Sequence, residues 1–149
     1  MVGLVLFSHD KLSEAFLEAL RMIAGPQEQL SAVDVKADMS SEAIEQALDK
    51  AIKSVDVGDG VVIITDLFGG SPANFALARM SAGKVEVISG LNLAMALKMV
   101  DLRTRDLSDP TVMARAIARE GKDSIVLASQ VLLRERNDQP ADDPSGGGD

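Results

Sequence analysis

The single histidine of this chain, His9, stands at the end of the first apolar run, 2–7 (VGLVLF), with only Ser8 between. Asp66 stands directly after a second apolar run, 61–65 (VVIIT), and is followed by Gly69-Gly70-Ser71-Pro72. A carboxylate held against one imidazole nitrogen fixes the tautomer and leaves the other nitrogen free to accept or to attack. Paired glycines let backbone come close to a ligand. A Ser-Pro helix start, with Ser71 as N-cap, offers unbonded N–H groups and a positive dipole end, which favour an anion such as phosphate. Each feature has a plain structural reading: Asp66 as a turn or cap residue, Gly-Gly-Ser-Pro as a tight turn. Taken together they point to a phosphoryl group carried by His9, with Asp66 as its partner and Gly69, Gly70 and Ser71 as the anion cradle.

Competing chemistries fail on residues. Ser71, His9 and Asp66 could form a hydrolase triad, but G-x-S-x-G is absent, since Ala73 stands two residues after Ser71. One histidine and no cysteine make a metal site a poor reading, and no cofactor is expected. Neither G-x-x-x-x-G-K-[ST] nor G-x-G-x-x-G occurs. A receiver domain phosphorylated on an aspartate after its third strand needs an acidic pair after the first strand and a lysine after the fifth. Here Asp10 is alone and no lysine follows Lys122.

The elements that must position these residues alternate along the chain. Apolar runs at 2–7, 30–35, 61–65, 84–88 and 124–128 read as strands. The first and third are continuous, as in strands covered on both faces. Leu12, Phe16, Leu20 and Ile23 mark one helical stripe, stopped by Gly25-Pro26, and Ile44, Leu48, Ile52 and Val55 mark another. Further helices are expected from Ser71, over 92–102 and over 110–121. This pattern predicts an α/β fold, doubly wound, with a mainly parallel sheet of four strands plus a fifth C-terminal strand at Ser124–Ala128 and helices on both faces. In such sheets ligands sit beyond the carboxyl ends of the strands where strand order reverses, commonly between the first and third strands. That location brings His9 and Asp66 together.

At 149 residues, the chain suits one domain. We read 1–136 as that domain and 137–149 (NDQPADDPSGGGD) as a disordered acidic tail. The net charge of −8 and the scarcity of aromatics (Phe7, Phe16, Phe68 and Phe75 only) speak against nucleic acid and an anionic membrane surface. The start MVGLVLFSHD lacks the basic flank of a signal peptide, and no apolar run approaches the ~20 residues of a spanning helix. A cytoplasmic location without membrane insertion is expected.

Three stretches together resemble a known family. Phe7-Ser8-His9, the block Thr65-Asp66-Leu67-Phe68-Gly69-Gly70-Ser71-Pro72-Ala73-Asn74, and Ser89-Gly90-Leu91-Asn92-Leu93 are similar to the enzyme IIA component of the mannose/fructose/sorbose class of the bacterial phosphotransferase system. Arg119-Glu120-Gly121 also resembles that family, and the likeness runs from residue 1 to about 130. It implies a relay in which the carrier protein HPr, phosphorylated on a histidine, passes its phosphoryl group to His9, and His9 passes it to a IIB component that phosphorylates a sugar. It further implies that Asp66 hydrogen-bonds the histidine, that Gly-Gly-Ser-Pro lies beside the phosphoryl group, and that the last strand is exchanged within a homodimer. Leu67, Phe68 and Asn92 are the candidate partner contacts. A regulatory module switched by phosphorylation of His9, and the phosphotransferase subunit of a dihydroxyacetone kinase, remain open beside the transport reading. The chain departs from the family at Asp10, where glycine is frequent: a second carboxylate beside His9 should repel a dianionic phosphate unless it points away.

Overall fold

Along the first strand, Leu4 and Leu6 enter one apolar cluster, and Val5 and Phe7 enter another; all four are buried. A strand that is apolar at every position has two covered faces, and the computed structural model, which describes residues 1–138, shows what covers them. The elements are β1 (Gly3–His9), α1 (Leu12–Ala24), β2 (Leu30–Val35), α2 (Ser41–Val55), β3 (Val61–Thr65), α3 (Ser71–Leu77), β4 (Val85–Ser89), α4 (Leu93–Arg103), α5 (Pro110–Asp123) and α6 (Ala128–Asp138). Four strands pair in parallel in the order β2-β1-β3-β4. The four-stranded α/β fold expected from the sequence is therefore present, with β1 and β3 adjacent where strand order reverses.

One cluster joins Leu4, Leu6, Val62 and Ile64 to Met95 and Met99 of α4 and to Met113 and Ile117 of α5, with Phe16 and Leu17 of α1 packed on it. The other joins Val5, Phe7 and Ile63 to Ile44, Leu48 and Val55 of α2 and Ala76 of α3. The two helical stripes face these clusters at their centres. At the ends of α1, Leu12 and Ile23 are exposed.

Four expectations need correction. Ser8 and His9 close β1 and do not belong to the loop after it, and the backbone of His9 is therefore held by the sheet. The N-cap of α3 is Gly70, so Ser71 and Pro72 open the helix itself. No fifth strand forms at 124–128: Ser124 ends α5, 125–127 have no regular structure, and Ala128 begins α6. A strand needs a neighbour for its backbone, and Ile125, Val126 and Leu127 are exposed without one among the described residues. Of the expected tail, Asn137 and Asp138 belong to α6, and 139–149 lie outside the described residues.

Periodicity gave no sign of Arg103, the last residue of α4. It is 8% exposed and faces carbonyls instead of a carboxylate. Its guanidinium donates to Val2 O (3.1 and 2.9 Å), Glu28 O (2.8 Å) and Gln29 O (2.7 Å), tying α4 to the entries of β1 and β2. Burial pushes its pKa down to about 10, which leaves it charged at neutral pH. Removing it takes the guanidinium donors from three carbonyls at once, and of these Gln29 O still accepts from the Leu4 N–H. Arg103→Ala is therefore expected to cost about 3 kcal/mol or more in urea unfolding followed by far-UV circular dichroism. Arg103→Lys should recover only part, because an ammonium lacks the planar fork. An unchanged midpoint in the alanine variant would show that the clamp adds nothing.

Candidate functional site

The site stands where β1 and β3 end side by side. Register pairs Phe7 with Thr65 and His9 with Val35, so His9 and Asp66 emerge from adjacent strands. Asp66 Oδ2 accepts from the backbone N–H of His9 at 3.0 Å and lies 2.8 Å from His9 Nδ1. Asp66 Oδ1 accepts from the Leu67 N–H at 2.9 Å. With an ionised carboxylate at Oδ2, the Nδ1 proton is the donor and Nε2 carries the lone pair. Burial alone raises the Asp66 pKa. The hydrogen bonds from His9 and Leu67 outweigh it and hold the carboxyl below its ordinary value. The side chain of Asp66 is 13% exposed, whereas that of His9 is 48% exposed: the carboxylate is sheltered and the imidazole ring is accessible.

Loops at the strand ends are tied to one another. Gly90 and Leu91 N–H groups donate to Thr65 O, and the Thr65 and Ser89 hydroxyls lie 2.7 Å apart. On the other side, Ser13 N–H donates to Asp34 of β2 at 3.0 Å, and the Ser8 and Ser13 hydroxyls are 2.6 Å apart. Burial raises the Asp34 pKa against the hydrogen bonds from Glu14 and Ser13 that lower it. These contacts fix the start of α1 beside His9 and were not legible in the sequence, since no local pattern marks them.

Gly70 shows why a glycine is needed. A Cβ built there would fall 2.9 Å from His9 Cε1 and 3.4 Å from Nε2, so the Gly70 backbone lies directly against the Cε1–Nε2 edge of the ring. Gly69 has φ +86°, a left-handed conformation that L side chains rarely take. The Ser71 N–H donates to no acceptor among the described residues, and Gly70 follows directly on the turn at 68–69. Ser71 lines a cavity of about 480 Å³ beside His9, together with Asp10, Lys36 and Ser41. Asp10 has φ +48°, and its carboxylate lies 3.6 Å from Lys36 Nζ.

The three remaining candidates differ. Leu67 and Phe68 are 62% and 73% exposed beside the site. Asn92 caps α4: its Oδ1 accepts from Met95 N–H, and its Nδ2 donates to Gly121 O at 3.1 Å. Its side chain is thus engaged within the fold. No group of three or more His, Cys, Asp or Glu residues is arranged to hold a metal among the described residues. No helix among them is long and apolar enough to cross a membrane.

A parallel α/β domain with a His–Asp pair at its switch point is the class that fold and site define. The profile of the family described as "PTS system fructose IIA component" (EIIA-man) matches residues 3–116. The chain belongs to this family, the one its motifs resemble. It is 29% identical over 124 residues to the mannose-specific EIIAB component of the phosphotransferase system of Escherichia coli strain K12, covering 80% of this chain and 38% of that protein. It therefore spans well under half the length of that relative. Over 102 residues it is 34% identical to the sorbose-specific EIIA component of Klebsiella pneumoniae, covering 68% of this chain and 74% of the other. Among solved structures, the phosphotransferase system component EIIA from Streptococcus agalactiae superposes with a TM-score of 0.78 at 28% identity, covering 87% of this chain and 99% of that one.

Proposed function

We propose that this protein is a phosphoryl carrier of sugar uptake, in which His9 accepts a phosphoryl group from phospho-HPr and passes it to a IIB component. The observation that carries this reading is the 2.8 Å bond between Asp66 and Nδ1 of His9. It leaves Nε2 unprotonated and accessible, as attack on phosphorus requires. An N–P bond forms at Nε2 while the donor's N–P bond breaks in line, and the electron pair of that bond stays on the donor nitrogen. The Nδ1 proton remains between ring and carboxylate, where Asp66 stabilises the positive charge that develops on the imidazole. Gly69 and Gly70 keep the cradle clear of side chains, and the amides of Gly70 and Ser71 meet the phosphoryl oxygens. Leu67 and Phe68 supply an apolar rim for both protein partners. Incubation with phosphoenolpyruvate, enzyme I and HPr, followed by intact-mass and peptide mass spectrometry, tests this reading: one phosphoryl group on His9 is expected, and phosphate on Asp66 or a serine would refute it.

We also infer that the working form is a homodimer. Ile125, Val126, Leu127, Val131, Leu132 and Leu133 are all more than 40% exposed, and α6 buries none of its residues. A run of exposed apolar residues of this kind marks a contact site, and β4 stands at the edge of the sheet with one side open. A second copy of the chain covers both at once, since isologous contact pairs like with like. Truncation after Lys122 is expected to give monomer or aggregate in light scattering, and truncation after Arg136 to leave the dimer intact. An equally stable dimer in the shorter form would exclude these residues from the contact.

A further inference from the structure

We propose that Lys36 is the cation that holds the phosphoryl group of the His9 site, and that Asp10 keeps it stationed there while His9 is unphosphorylated. The proposal rests on reading His9 as the phosphoryl acceptor. Asp66 occupies Nδ1 and lies outside the lining of the 480 Å³ cavity beside His9. A phosphoryl group on the remaining nitrogen, Nε2, is thus carried next to that cavity. Of the residues lining it, Lys36 is the only lysine or arginine, and Asp10 the only carboxylate. A dianion arriving there meets a carboxylate, and the cost of that meeting depends on where the one ammonium goes.

The backbone brings this pair to the site and holds it. Asp10 N–H donates to Val35 O at 2.9 Å, directly past the His9–Val35 register pair, so Lys36 starts beside Asp10. The turn that follows is closed by Met39 N–H to Lys36 O at 3.1 Å and by Lys36 N–H to Met39 Sδ at 3.4 Å, and Ser40 then caps α2. The left-handed conformation of Asp10 is one that aspartate tolerates better than most side chains. The ion pair itself is loose: 3.6 Å long, with side chains 48% and 79% exposed. A pair in water exchanges partners at little cost, and an ammonium on a flexible stem binds phosphate as a compact point charge. When His9 is phosphorylated, Lys36 leaves Asp10 for the phosphoryl oxygens; when the group departs, the ion pair forms again. No proton moves, and the bonds made and broken are those of the transfer itself. The charged groups around the His9 ring are Asp66, on Nδ1 from the β3 end, and Asp10 and Lys36, which line the cavity from the β1 and β2 ends.

The test is equilibrium phosphorylation by phospho-HPr, with the phosphorus NMR titration midpoint of the phosphoprotein as a second readout. In Lys36→Met the ratio of phosphorylated to free protein should fall by about fivefold, and the midpoint should rise because the dianion loses its cation. Lys36→Arg should restore both. Asp10→Asn should move both in the opposite direction, and its effect should shrink in the Lys36→Met background. If Lys36→Met is phosphorylated on His9 with unchanged ratio and midpoint, the assignment of Lys36 is wrong and the reading of His9 stands. If the unmodified protein takes no phosphoryl group on His9, both fall.

Discussion

His9→Ala is expected to abolish phosphorylation by phospho-HPr completely, with the fold intact. The ring is half exposed and contributes to no apolar cluster, so its loss removes the nucleophile without opening the core. No other side chain can stand in. The chain has no second histidine and no cysteine, and Ser71 has no adjacent base once the imidazole is gone. The phosphoryl group on the unmodified protein should be lost in acid and survive in base, as expected of a phosphoramidate and not of an acyl phosphate. Nitrogen NMR of the ring should place it on Nε2, because Nδ1 is engaged by Asp66. Retained phosphorylation of the alanine variant would remove the central assignment, and phosphate on Nδ1 would remove the role given to Asp66.

Asp66→Asn is expected to slow transfer by about 10²-fold or more while leaving the protein folded. The amide is isosteric, but its single oxygen can serve only one of the two N–H groups that Asp66 now holds: His9 N–H if it takes the Oδ2 position, Leu67 N–H if it takes the Oδ1 position. Towards the ring its chemistry is reversed. An amide NH₂ turned to Nδ1 makes that nitrogen the acceptor, moves the ring proton to Nε2 and blocks the attacking lone pair. An amide oxygen kept towards Nδ1 preserves the tautomer and loses only the negative charge that steadies the developing imidazolium. Ring nitrogen shifts distinguish these outcomes, and single-turnover transfer from phospho-HPr measures the loss. A rate within a few-fold of the unmodified protein would show that the 2.8 Å bond does not matter to the transfer.

Acidification should weaken the same contact in a defined direction. The folded-state pKa of Asp66 lies below the ordinary carboxylate value. Its stabilising contribution is therefore fully present above the unfolded pKa and is lost as pH falls through the folded one. The Asp66→Asn variant should lack that acid limb.

The composition and order of the chain were enough for the α/β class, the four parallel strands and the closeness of His9 to Asp66. Continuous apolar runs need cover on both faces, and alternation with helical stripes leaves the doubly wound sheet as the economical arrangement. Adjacent first and third strands then bring the residues at their ends together. What tertiary structure alone decided were contacts between groups far apart in sequence. Arg103 reaches Val2 across 101 residues, and Lys36 meets Asp10 only because β2 lies in register with β1. No local period encodes such pairings. The clearance at Gly70 depends on where the His9 ring rests, which the glycine itself does not announce. The segment 124–128 shows the same limit from the other side. Its apolar residues suit a strand, but pairing is a property of two segments, and among the described residues no strand pairs with this one.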